Sequence, residues 1–197
     1  MRRPIFISSI ILCLALAGFA YIRHSPWMHS HFNKLSGAPQ ETMKPREEKY
    51  YKATLHHTID SIVVIKHIRE MHVYHQGALQ KIYRVALGDA PVGHKHFEGD
   101  EKTPEGLYRI FGKNPNSSCH KNLGISYPNE ADRAYAAKQG RRTGGDIKIH
   151  GIVNGQGYIG KAHLLHDWTN GCVAVTDEEI DELYAFTPTG IPIFIRP

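Results

Sequence analysis

Two short segments near the C-terminus carry residues that can do chemistry. Ile149-His150-Gly151 supplies a histidine, and Trp168-Thr169-Asn170-Gly171-Cys172-Val173 supplies a cysteine between a glycine and an apolar run. Histidine and sulfur stand 22 positions apart (150 to 172), so only a fold can bring them together. A base and a sulfur nucleophile joined in that way are what nucleophilic catalysis requires. A thiol at its ordinary pKa near 8.5 is only a few per cent thiolate at neutral pH. A neighbouring imidazole can take its proton, stabilise the sulfur anion as imidazolium, and later protonate a leaving amine, as acyl transfer demands. Gly171 lets the backbone approach a substrate closely, and amides around Cys172 can meet the oxyanion of a tetrahedral intermediate. The Gly151 carbonyl can hold one imidazole nitrogen and fix the tautomer. Thr169 either hydrogen-bonds near the cysteine or closes its loop. Spacing alone leaves a rival open, because a lone buried cysteine is usually inert.

The elements that must position these residues read as mainly β. The β-branched run Ile62-Val63-Val64-Ile65 is expected in a buried strand. Residues 71–74, the pair Gln76-Gly77 and residues 78–87 read as a hairpin, with Leu79, Tyr83, Val85 and Leu87 on one face at period two. Residues 107–111 form the next strand, a loop is expected at 113–118, and a short strand follows to 126. Asn129 caps a helix over 130–138, and the capping box Thr176-Asp177-Glu178-Glu179 opens another to about 186. Brief strands at 147–149, 173–175 and 191–195 complete the pattern. Many short strands with two short helices predict a β sandwich or barrel.

At 197 residues the chain holds one substantial core. Its hydrophobic content of 41% and charged content of 22% exclude wholesale disorder. The net charge of +5 suits an anionic surface but is too weak and scattered for nucleic acid. Arg2 and Arg3 precede an uncharged run over residues 5–22, the pattern of a signal peptide or a short membrane anchor. Residues 1–23 are therefore expected to direct export, 24–58 to form a Pro-containing linker, and 59–197 to form the catalytic domain.

Other residues carry weaker readings. His163 and His166, with His150 and Cys172, are zinc-ligand types, but no metal-binding spacing supports them and neither metal nor organic cofactor is implied. Trp168 and Tyr127 are candidate substrate contacts, against packed aromatics as the blander reading. Arg133, with Arg141 and Arg142, can bind a substrate carboxylate or simply be solvated charge. Asp100 and Lys102 read as polar turn groups. In an oxidising compartment Cys119 and Cys172 could pair and silence the thiol. The setting Ser117-Ser118-Cys119-His120 reads as the start of a strand, where cysteine is a small apolar filler, and favours two free thiols.

Taken in order, several blocks resemble the L,D-transpeptidase (YkuD-type) catalytic domains of bacterial cell-wall enzymes. They are Val85-Ala86-Leu87-Gly88, Gly99-Asp100-Glu101-Lys102-Thr103-Pro104-Glu105-Gly106-Leu107-Tyr108, Gly144-Gly145-Asp146-Ile147-Lys148-Ile149-His150 and Thr169-Asn170-Gly171-Cys172-Val173-Ala174. The likeness runs from about residue 62 to 195. The family signature is His-Gly, a spacer, then Ser/Thr-His-Gly-Cys, an apolar residue and Asn or Arg. Here Asn170 replaces the second histidine and Ala174 replaces the Asn or Arg. Asp167-Trp168-Thr169-Asn170-Gly171-Cys172 resembles the YafK-like subgroup, which includes members that hydrolyse crosslinks or detach proteins from the wall. The resemblance implies a β-sandwich, Cys172 as nucleophile, His150 as general base, and peptidoglycan stem peptides as substrate. It leaves transpeptidase, hydrolytic carboxypeptidase or endopeptidase, and amidase releasing a wall-bound lipoprotein as alternatives. A catalytically silent peptidoglycan-binding module is the rival from another class.

Overall fold

The computed structural model describes residues 48–197. The expected signal or anchor segment lies outside the described residues. The β-branched run becomes β1 (Ser61–Ile65), with all five residues buried between antiparallel β2 (Glu70–His75) and parallel β8 (Pro192–Arg196). β2 turns into β3 (Ala78–Arg84) through Gln76 and Gly77, at φ 50° and 77°. Positive φ at both central residues is the hairpin turn that matches strand twist. A register shift between Val73 and Tyr74 sets Leu79 opposite Tyr74 while Lys81 faces Val73. One extra residue reverses the alternation, so Leu79 leaves the face it was expected to share with Tyr83, Val85 and Leu87.

A long hairpin follows, β4 (Gly106–Ser117) with β5 (His120–Ile125). The loop expected at residues 113–118 is instead the outer part of β4. Pro115 is accommodated because it lies within a register shift between Asn114 and Ser117, where no ladder donor is required. Cys119 accordingly sits in the turn, not at a strand start. The first half of β4 pairs with β8 and the second half with β5, so this strand carries the sheet around a bend. The remaining strands, β6 (Lys148–His150) and β7 (Val173–Ala174), complete the order β3-β2-β1-β8-β4-β5-β6-β7.

The sheet is curled into a half-barrel. The chain leaving edge strand β3 reaches the opposite edge, where Ala86 and Ala174 exchange hydrogen bonds of 3.0 and 2.8 Å. Inside the curl, Val64, Met71, Tyr83, Ile110, Leu123, Ile149, Val173 and Ile195 form one apolar cluster. Both expected helices are present, α2 (Glu130–Lys138) and α3 (Asp177–Phe186), each opened by a reciprocal capping box. α3 packs against β5 and β6 and sends Ile180 and Leu183 into the core.

The residues expected to act as a linker are described from Glu48, and these do not form a free tether. Helix α1 (Lys49–Lys52) packs on β3, Tyr51 donates to Glu70 at 2.6 Å, and the Leu55 amide donates to Glu182 at 2.9 Å. Leu55 is buried in the core cluster, which recruits this segment to the domain. Among the described residues no helix is long and apolar enough to cross a membrane.

The Thr176 hydroxyl accepts from the Glu179 amide while the Glu179 carboxylate accepts from the Thr176 amide. Thr176→Ala is expected to lower unfolding free energy by about 1 kcal/mol. Urea denaturation followed by circular dichroism checks this, and an unshifted midpoint refutes the cap's contribution.

Candidate active site

Strand alternation decides where the two chemical groups point. Ile149 and Val173 are partners in the parallel pair β6–β7, and both face the core with no exposed surface. Their neighbours His150 and Cys172 therefore turn to the other face. Continuing the register, Cys172 lies opposite Lys148 and diagonal to His150. A sheet diagonal spans about 7–8 Å between backbones, within reach of side chains directed toward each other.

His150 is buried, and its Nδ1 lies 2.6 Å from the Gly151 carbonyl oxygen. A carbonyl only accepts, so the nitrogen facing it carries the proton and Nε2 keeps its lone pair. Burial holds the imidazole pKa below its ordinary 6.5, against the opposing pull of that carbonyl; the Lys148 charge lowers it further. The ring is neutral at pH 7 and available as a base. Cys172 is half-buried, with its thiol 3.7 Å from the Asp146 carbonyl oxygen. Burial pushes this thiol up to about 11, and the amide and charge of Lys148 offset only part of that. Cys119 and Cys172 are both free thiols.

The loop before Cys172 is held from several directions. The Thr169 hydroxyl donates to the Cys172 carbonyl at 2.9 Å and accepts from the Gly171 amide at 3.1 Å. Backbone bonds from Trp168 and Thr169 to the Leu87 carbonyl, and from Asp89 to the Thr169 carbonyl, dock the loop on the chain leaving β3. Asp167 accepts from the Leu87 amide at 2.9 Å and pairs with Arg69 at 2.8 Å. Gly171 has φ 122°, and a Cβ there would stand 2.5 Å from the Lys102 carbonyl oxygen, so only glycine fits. Its amide is committed to Thr169. Gly171 thus contributes conformation, and its amide faces the Thr169 hydroxyl.

Gly151 is similarly structural. Its amide donates to the Cys119 carbonyl at 3.1 Å, and a Cβ would stand 2.6 Å from Asp177 Oδ1. Asp177, the first residue of α3, also accepts from the Ile152 amide at 2.8 Å and so fixes the chain leaving His150.

Trp168 packs edge-to-face on His150, with ring centroids 5.7 Å apart, and on His163 at 6.3 Å. Burial, with His150 adding to it, lowers the His163 pKa to about 4. Both nitrogens of His163 and Nε1 of Trp168 are buried without a hydrogen-bond partner among the described residues. His166 is exposed, and no group of three or more His, Cys, Asp or Glu among the described residues is placed to hold a metal ion.

Tyr127 does not reach the site. It is buried in the core cluster, and its hydroxyl donates to the Thr143 carbonyl at 3.2 Å, which makes it a packed aromatic rather than a substrate contact. Arg133 borders a groove that extends to Asp146. Asp100 is a turn group, accepting from the amides of His96, Phe97 and Lys102. Sequence reasoning missed Asp146, Asp167 and Asp177. An aspartate before the Trp-Thr-Asn-Gly-Cys block and another at a helix start were visible signals, but their partners are distant in the chain.

The sequence model of YkuD, the L,D-transpeptidase catalytic domain, matches residues 60–195. The Escherichia coli (strain K12) protein named "Putative L,D-transpeptidase YafK" is 29% identical over 174 residues, covering 84% of this chain and 61% of that protein. Crystal structures of the helical cell shape determining protein Pgp2 from Campylobacter jejuni share the fold with a TM-score of 0.53. The unmodified protein is 21% identical over 76% of this chain and 51% of Pgp2, and its K307A mutant is 23% identical. The chain thus spans about three-fifths of YafK and about half of Pgp2. With the matched segment running from before β1 into β8, the chain belongs to the YkuD family of L,D-transpeptidase catalytic domains.

Proposed function

We propose that this chain is an exported cysteine acyl-transfer enzyme acting on peptidoglycan stem peptides. The observation that carries the reading is the Nδ1–Gly151 hydrogen bond of His150, which leaves Nε2 basic on the face shared with Cys172. Family membership supports the reaction class, and the description of Pgp2 as determining cell shape supports a wall substrate. The leading arginines and the uncharged run after them support delivery to the cell envelope.

In the first half-reaction Cys172 Sγ attacks the carbonyl of an L,D peptide bond, typically that between diaminopimelate and D-alanine. As the C–S bond forms, the thiol proton passes to His150 Nε2 and the carbonyl oxygen becomes an oxyanion, met by backbone amides at Cys172. The C–N bond then breaks, the imidazolium returns its proton to the leaving amine, and a thioester remains. An amine completes transfer, or water completes hydrolysis, with His150 again taking the proton.

Burial favours the neutral form of each group, with the Cys172 thiol at about 11 and the His150 imidazole below 6.5, so both are neutral at pH 7. The thiolate–imidazolium pair expected from the sequence is therefore a transient of the attack, not the resting state. In the free protein, alkylation of Cys172 is expected to be slow at pH 7 and to rise about tenfold per pH unit, with a midpoint well above the 8.5 of a model thiol. Peptide mass spectrometry separates Cys172 from Cys119, and a midpoint at or below the model thiol's overturns the neutral pair.

Digestion of purified sacculi tests the function itself. Wild-type protein is expected to alter the muropeptide pattern, Cys172→Ala to abolish the change, and His150→Ala to slow it about 10²–10⁴-fold. New crosslinks identify a transferase, shortened stems a carboxypeptidase, and liberated lipoprotein an amidase. Sacculus binding with an unaltered pattern sinks the enzymatic reading in favour of a binding module.

A further inference from the structure

A groove of about 520 Å³ runs as far as Asp146, the residue whose carbonyl neighbours the Cys172 thiol. Arg133 of α2, Arg141, Arg142, Glu98 and Gly144 line it, and Asp146 brings it to the thiol, since the Asp146 carbonyl is the 3.7 Å neighbour of Cys172 Sγ. Two backbone contacts tie Glu98 to the 142–144 segment of the lining. The Glu98 amide donates to the Arg142 carbonyl at 2.9 Å, and the Gly144 backbone lies so close to Glu98 that a Cβ would stand 3.1 Å from its Cα.

Its charge is unbalanced in a specific way. Arg142 pairs with Glu98 at 3.2 Å, and the Asp146 carboxylate is taken by Lys148 at 2.6 Å. Arg133 donates to the Pro128 carbonyl, and the Arg141 guanidinium stacks on Phe97 at 3.8 Å from the ring centroid. Neither of these two arginines has a carboxylate partner among the described residues. Phe97 and the Pro128 carbonyl orient both guanidinium groups while leaving donors for a ligand. Oriented guanidinium groups in a concave site bind carboxylates by paired, charge-assisted hydrogen bonds.

We propose that Arg133 and Arg141 form a subsite for a free carboxylate of the peptide whose carbonyl is presented to Cys172, an inference that rests on the peptide reading given above. A peptide with its carbonyl at Sγ continues past Asp146 into this groove, so its terminal or side-chain carboxylate meets the two unpaired cations. Arg142, paired with Glu98, also lines the groove.

The test is calorimetric binding to Cys172→Ala protein, in which no turnover occurs. The probes are a synthetic stem tetrapeptide with free carboxylates and the same peptide amidated at them. The acid is expected to bind at least about tenfold more tightly than the amide, with a preference that shrinks as salt rises. Replacing both Arg133→Gln and Arg141→Gln should cancel that preference. Lys138→Gln with Lys161→Gln, the same change in net charge outside the groove, should preserve it. Equal binding of acid and amide, or a preference that survives loss of both arginines, overturns the subsite. Because the nucleophile is absent from this measurement, failure of wild-type protein on sacculi would sink the proposed function while leaving the subsite to be judged on binding alone.

Discussion

The site depends on the parallel register of β6 and β7. These strands have three and two residues, too few to hold a pairing by themselves. What fixes it is the chain leaving β3, where Ala86 exchanges two hydrogen bonds with Ala174 and the Leu87 carbonyl takes the amides of Trp168 and Thr169. The same segment reaches Asp167, whose carboxylate ties the Leu87 amide to Arg69. A one-residue slip would send Cys172 toward the core and Val173 outward, so the cost of burying the wrong residues protects the geometry. Sheet closure and nucleophile placement are one constraint.

That constraint also accounts for the electrostatics. Curling the sheet buries His150 and half-buries Cys172, and loss of solvent disfavours the charged form of each. A charge transferred between them as the C–S bond forms does not have to be held in the resting protein. The Gly151 carbonyl does its work throughout, because it orients the ring and becomes a stronger partner once the imidazole is protonated.

Much of this was legible in the sequence, for reasons that can be named. The run at residues 62–65, the turn at Gln76-Gly77, the Asn129 cap and the Thr176 capping box are local signals, and each produced the expected element. The misplacements fall where a bulge intervenes. Leu79 and the stretch around Pro115 both sit at register shifts, which reverse a face or tolerate a proline without any mark in composition. In the candidate site, the sequence singled out His150, Cys172 and Gly171 because their types carry chemistry or conformation, and the fold puts His150 and Cys172 on one face beside the strained glycine. Asp167 and Asp177 were not, because a carboxylate that caps another segment's amide looks like any surface aspartate until the partner is known. Tyr127 failed in the opposite direction, an aromatic near the right blocks that the core claimed.

The two departures from the family signature find different explanations in the fold. Ala174 has no exposed surface and lies against Ala86 at the point where the half-barrel edges meet. Ala174 shares the face of Cys172 and His150, and because it is fully buried a longer Asn or Arg there would have to displace its neighbours. Asn170 is exposed at the loop tip, beside the thiol in sequence but outside the web of bonds made by Thr169 and Gly171. A histidine there would add a second titratable ring next to Cys172 in the chain. With Asn170 in that place, His150 is the imidazole on the face shared with Cys172, while His163, pushed to about 4 by burial and by His150, packs against Trp168. On the proposed reading proton transfer falls to one imidazole, and the Gly151 carbonyl sets which of its nitrogens is free to accept.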